Sequence, residues 1–184
     1  IADRRLEGRS LHKIACAQAA SGDIEACLRS ADEALDLFLE VKDKRLEASE
    51  LLAMARWRLQ QGAHDVAISD AEEALELYQR FPSPQEVAAM GVAFDGYVAK
   101  GNWRRAVRAA KEGVKRFKAK KDRSGQAHAM ELLVSGLVST GELEDAVEVA
   151  QAALAIFQDV GNRQMEARMC GALAGLYIRM ERYD

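Results

Sequence analysis

What this sequence lacks narrows its function before any motif is weighed. Only two of its 184 residues are proline, and 49% are hydrophobic against 30% charged, the balance of a folded helical protein. There are three cysteines, Cys16, Cys27 and Cys170. The number is odd and no two stand in CxxC spacing, which argues against a disulfide framework and a zinc site. Cys27 reads as a small buried thiol. No apolar run approaches the roughly 20 residues that a membrane-spanning helix needs, and no signal-peptide pattern opens the chain. The cysteine usage points to a reducing intracellular compartment, cytoplasm or organelle interior. GxGxxG, Walker, HExxH and nucleophile-elbow patterns are all missing. His12, His64 and His128 fall in different repeats, without ligand spacing. Catalysis needs converging titratable groups, so neither an enzyme nor a bound cofactor or metal is expected.

What is present is a period. Gly22, Gly62, Gly101 and Gly141 are 40, 39 and 40 residues apart. Five residues after each comes a small residue (Cys27, Ala67, Ala106, Ala146) and nine after, an alanine (Ala31, Ala71, Ala110, Ala150). A small-large pair follows, as in Ala34-Leu35, Ala74-Leu75, Gly113-Val114 and Ala153-Leu154. Sixteen residues after each glycine comes an aromatic ring: Phe38, Tyr78, Phe117, Phe157. Self-similarity at this period marks stacked structural repeats. The apolar positions follow helical periodicity, most clearly Trp103, Ala106, Val107, Ala110, Gly113, Val114 and Phe117.

A second series marks helix starts. Asp3, Asp43, Ser83, Asp122 and Asn162 each can accept a hydrogen bond from the free N–H groups of a first turn. Ser83-Pro84-Gln85-Glu86 predicts an N-cap, a first-turn proline and a capping box. Each repeat is therefore two helices around a glycine turn, where positive φ costs little. The helices are predicted at 4–21, 24–41, 44–61, 64–80, 84–100, 103–119, 123–140, 143–160 and 163–180. The expected fold is all-α: one right-handed solenoid of antiparallel helix pairs over 1–184, with repeats near 3–42, 43–82, 83–121, 122–161 and a partial 162–184. The chain starts at Ile1 and stops at Asp184, both inside repeats, so a fragment of a longer protein is expected. An apolar face is expected around Leu176, Tyr177 and Ile178, before Tyr183-Asp184.

On these residues the chain resembles tetratricopeptide repeats. The matches are the turn glycine, alanine five and twelve residues on, and the aromatic sixteen on. In the first helices the family's Leu-Gly…Tyr run looks like Leu173-Ala174…Tyr177, and more weakly Met54-Ala55…Arg58 and Ala93-Phe94…Tyr97. The standard repeat is 34 residues, so repeats of 39–40 resemble the long-repeat branch, as in kinesin light chains. The resemblance implies protein–protein binding in a groove lined by the first helices. In that register the groove residues are Arg9, His12, Arg56, Gln60, Asp95, His128, Glu131, Ser135, Arg168 and Arg179, with Cys16, Ser49, Leu52, Ala88, Gly91, Ser139, Gly171 and Gly175 between them. Relatives that clamp a peptide carboxylate carry asparagines where this chain has Cys16, Arg56, Asp95 and Ser135, which argues against that mode. Gly171 to Gly175 imitates a membrane GxxxG motif, but Arg168 and Arg179 flank too short a segment, and close helix packing is expected there.

A second candidate surface is electrostatic. Residues 100–123 carry a net charge of +9, leaving −12 on the rest of the chain. Within it Arg104, Arg108, Lys111, Lys115 and Lys118 fall on one outer stripe, with Arg105 beside them. Like charges at that spacing destabilise an isolated helix. The expected partners are other proteins: a peptide or helix in the groove, and an acidic surface on this helix. An anionic membrane surface is the alternative occupant. Nucleic acid is disfavoured because no aromatic residues interleave with the stripe. The expected function is an adaptor, or a subunit of a larger assembly, organellar ones included. The alternatives are anionic-lipid or nucleic-acid binding through the basic helix at 100–123, and the sensor arm of a longer regulator.

Overall fold

The computed structural model describes residues 2–81 and 83–181. Among these, every regular element is a helix. They are α1 (Ala2–Ala20), α2 (Ile24–Glu40), α3 (Lys44–Gln61), α4 (His64–Gln79), α5 (Gln85–Ala99), α6 (Trp103–Ala119), α7 (Arg123–Thr140), α8 (Leu143–Asp159) and α9 (Arg163–Met180). Each lies within two residues of its predicted span.

Local chemistry accounts for the ends. Gly22, Gly62, Gly101 and Gly141 all adopt left-handed φ, between 68° and 86°. Gly62 and Gly141 close α3 and α7 with backbone N–H bonds to the last turn. Asp43, Asp122 and Asn162 are N-caps, accepting from first-turn amides. Asp3 is not: α1 already begins at Ala2, so Asp3 lies in the first turn, where its charge suits the helix dipole. Ser83 Oγ accepts from the Gln85 N–H at 3.3 Å and donates to Gln85 Oε1 at 3.1 Å. Helix α5 thus starts at Gln85, with Pro84 in the turn before it.

The chain divides into two compact units, Ile1–Gly96 and Tyr97–Asp184, the division falling inside α5. In the first, α1 packs on α2, α2 on α3 and α3 on α4; in the second, α6 packs on α7, α7 on α8 and α8 on α9. The repeated small residues sit where axes approach: Cys27, Ala31, Ala34, Ala67, Ala71 and Ala74 in unit 1, and Ala106, Ala110, Ala146, Ala150 and Ala153 in unit 2, are fully buried. The four repeated rings are at most 3% exposed. Stacked neighbours supply the core that a single pair lacks. In α9 Leu176 is buried, whereas Tyr177 and Ile178 remain 45% and 58% exposed, so the expected apolar face is made by two residues rather than three. Tyr183 and Asp184 lie outside the described residues.

In the register that carries Tyr97 in α5 and Tyr177 in α9, α3 carries Arg58. Its guanidinium is largely buried, pairs with Asp70 of α4 and reaches Asp32 of α2 at 3.3 Å. One long side chain therefore ties three helices of unit 1 together.

Candidate functional site

In unit 1, helical spacing puts His12 and Cys16 one turn apart on α1, and Ser49, Ala53 and Arg56 along one face of α3. With Leu52, Trp57, Pro84, Gln85 and Ala88 they line a cavity of about 430 Å³. A smaller cavity of about 210 Å³ shares His12 and Ser49 and adds Arg9, Lys13 and Glu50. His12 lines both cavities, with Arg56 in the larger and Arg9 in the smaller, while Gln60 and Asp95 line neither. Burial alone holds the Asp95 carboxyl above its ordinary range. Leu52, in the wall of the larger cavity, is only 3% exposed.

The floor of this region holds an arrangement that sequence reasoning missed. His12 Nδ1 lies 2.7 Å from Oε2 of Glu50, a carboxylate that is 1% exposed. The contact becomes an ion pair when the ring is protonated and has no well-aligned hydrogen bond: His12 Nδ1 and Glu50 Oε1 both lack a hydrogen-bond partner among the described residues. On the other side of the ring, Nε2 is 3.4 Å from Cys16 Sγ. The Trp57 ring lies 6.2 Å away, tilted by 37°. The Glu50 carboxylate raises the pKa of His12, more than partial burial lowers it. Burial and then the Glu50 charge push the Cys16 thiol up, so it rests protonated. The signal was hidden because Glu50 stands 38 residues from His12.

A pH dependence follows. The folded-state pKa of His12 is raised, so its pairing with Glu50 stabilises fully below the ordinary histidine value and is lost as pH rises through the folded one. The charged groups around the ring are Arg9, Lys13, Glu50 and Arg56. The denaturation midpoint is expected to fall as pH rises above the ordinary histidine value of about 6.5, with a shallower fall in His12→Gln. Parallel profiles for the two proteins would remove His12 as the cause.

In unit 2, α7 and α9 build a cavity of about 440 Å³. Glu131, Ser135, Arg168 and Arg179 line it, around Val134, Val138, Met169 and Leu176. Arg168 Nη2 bridges to Glu131 Oε1 at 2.6 Å. His128 is held elsewhere: its Nδ1 is 2.8 Å from the Ser124 carbonyl and its ring stands edge-on to Phe157 at 5.4 Å. The expected close packing at Gly171 and Gly175 is absent. A Cβ at either would meet no atom within 4 Å, and Gly175 lines the cavity. These glycines make room rather than contact, because the face they share opens outward.

The basic helix is α6. Trp103, Ala106, Val107, Ala110, Val114 and Phe117 turn inward, while Arg104, Arg105, Arg108, Lys111, Lys115 and Lys118 are all exposed. Arg105 stacks over Tyr97 at 4.7 Å, and Arg108 reaches Glu112 at 3.8 Å. Among the described residues, Arg104, Lys111, Lys115 and Lys118 make no ion pair. The repeat register sharpens the contrast. Where α6 has Arg104, Arg108, Lys111 and Lys115, α2 has Glu25, Arg29, Asp32 and Asp36, α4 has Asp65, Ser69, Glu72 and Glu76, and α8 has Glu144, Glu148, Gln151 and Ala155. Only α6 inverts the charge.

Neither a protein-family model nor a curated protein matches the chain. Solved structures do. Apo RapI superposes with a TM-score of 0.82 at 13% identity, over 96% of this chain and 65% of RapI. A STAND signal-transduction ATPase with a tetratricopeptide repeat sensor, from Pyrococcus horikoshii, gives 0.80 at 17% identity, over 95% of this chain and 28% of the ATPase. A Rap protein complexed with competence and sporulation factor gives 0.69 at 16% identity, over 97% of this chain and 50% of the Rap protein. This chain therefore spans less than two thirds of each. The likeness shows the fold: an all-α, tetratricopeptide-like helical repeat. No helix among the described residues is long and apolar enough to cross a membrane.

Proposed function

We propose that the chain is a non-catalytic docking scaffold, an adaptor or a subunit of a larger assembly. In this reading the first helices hold a peptide or helix of the partner, and α6 attracts an acidic surface. The observation that carries it is the pair of similar cavities, one in each unit, both lined by first-helix side chains from successive repeats. Each combines apolar walls with a rim arginine, Arg56 in one and Arg168 and Arg179 in the other, the mixture that groove docking uses. The Rap complex supports it by analogy, as a similar fold bound to another molecule. A second reading, the sensor arm of a longer regulator, is supported by the repeat sensor of the STAND ATPase, of which this chain spans only 28%.

Photo-crosslinkers at Arg56, Ser135, Lys111 and, as an outer control on α2, Glu33 test the proposal in the native source. Capture of one partner from Arg56 and Ser135 but not Glu33 is expected. Capture from Lys111 is expected to fade at about 0.5 M salt, where screening is strong, and with Arg104→Glu, Arg108→Glu and Lys115→Glu combined. Capture mainly from Glu33 would sink the groove reading. Insensitivity to both salt and charge reversal would make α6 a merely solvated face.

A further inference from the structure

We infer that Cys16 is a reactive thiol that exchanges with small anionic, peptide-like disulfides, forming a mixed disulfide that fills the unit 1 cavity. The geometry carries this. Cys16 is exposed on the wall of a cavity of about 430 Å³, and a potential base, His12 Nε2, lies 3.4 Å from its sulfur. The far side of that ring faces the buried Glu50 carboxylate at 2.7 Å. A nucleophile beside a base that a third group orients is the arrangement that activates weak nucleophiles. It matters here because the resting thiol is protonated and needs an acceptor before it can attack.

The step balances without further reagents. Above the raised pKa of His12, where the ring is neutral, the Cys16 proton passes to His12 Nε2, and the imidazolium so formed is compensated by Glu50. The thiolate attacks one sulfur of the incoming disulfide. A new S–S bond forms, the old one breaks, and the departing thiolate takes the proton back from His12. Cys16 is oxidised and the small disulfide is reduced by one thiol equivalent.

Two features define the class of reagent. Arg56 lines the cavity and Arg9 and Lys13 line its smaller neighbour, so carboxylates are favoured. Independently, Glu50 Oε1 faces no donor although the side chain is 1% exposed and lines the smaller cavity. Buried carboxylate oxygens are rarely left so. A ligand with an amine or amide N–H would satisfy it. An adduct here also occupies space that Arg56, Trp57 and Ser49 offer to a groove partner, which makes docking responsive to thiol oxidation.

The test uses the intact chain and its own controls. Cys170 is an exposed thiol elsewhere, and Cys27 is buried, with its pKa pushed up to about 11. The protein is incubated with oxidised glutathione, or with neutral bis(2-hydroxyethyl) disulfide, and each cysteine is followed by peptide mass mapping. Oxidised glutathione is expected to modify Cys16 about tenfold faster than Cys170, a modest share of what general-base assistance supplies, with Cys27 untouched. The neutral disulfide should keep part of that preference, through His12, but lose the share that Arg56, Arg9 and Lys13 add for an anionic reagent. His12→Gln should bring Cys16 down to the Cys170 rate while Cys170 is unchanged. A Cys16 rate no higher than that of Cys170 in the unaltered chain overturns the inference, as does full reactivity in His12→Gln. Equal preference for both disulfides overturns the anionic assignment. Should His12→Gln loosen the fold, Cys27 becomes labelled and reports it, and the unaltered chain then decides.

Discussion

Arg58→Ala is expected to cost about 3 kcal/mol of folding stability, the low end for removing one partner of a buried ion pair. The reason is Asp70. Its carboxylate is buried in unit 1, and burial, with Glu73 and Asp32 beside it, holds its pKa above the ordinary value although Arg58 pulls it down. Without the guanidinium, α4 keeps an uncompensated buried charge, and Asp32 loses its tether to α3. Chemical denaturation of the variant measures the loss directly. Replacing both partners, Arg58→Leu with Asp70→Leu, should recover much of it, since an apolar pair carries no desolvation penalty. A loss under about 1 kcal/mol for Arg58→Ala would mean that water satisfies Asp70 instead.

The second large effect is overpacking at the repeated small positions. Ala106→Leu and Ala146→Leu are each expected to cost about 1–3 kcal/mol, because both alanines are fully buried between helices of unit 2. Ala63→Leu should cost much less. Ala63 is only half-buried and precedes α4 without a side-chain capping bond. Denaturation midpoints of the three variants decide the matter, and equal shifts would show that the repeated small residues do not set the helix separation.

Two of the aromatic positions explain two glycines that lie outside the repeat pattern. Phe117 is buried in unit 2, and a Cβ at Gly125 would come within 2.6 Å of its ring. Gly8 stands in the same relation to Phe38 in unit 1. Each ring of a second helix thus seats on a bare backbone of the next or preceding first helix. The ring recurs visibly along the chain, but its seat does not, because Gly8 and Gly125 are contacts across helices rather than members of the periodic pattern.

Several elements were determined by sequence alone, and each is governed by neighbours within about two helical turns. Helix spans follow from the 3.6-residue apolar stripe, turns from Gly22, Gly62, Gly101 and Gly141, starts from Asp43, Asp122 and Asn162, and the outward α6 stripe from the inward Trp103-to-Phe117 face. These forces act over a few residues, so they are written locally. Only the tertiary structure decided what long side chains reach across helices. It alone pairs Arg58 with Asp70 and Asp32, sets Glu50 against His12 and Cys16, and turns Gly171 and Gly175 toward open space rather than a packed helix. Those outcomes depend on the separation and rotation of stacked helices, and residues tens of positions apart enter that geometry together.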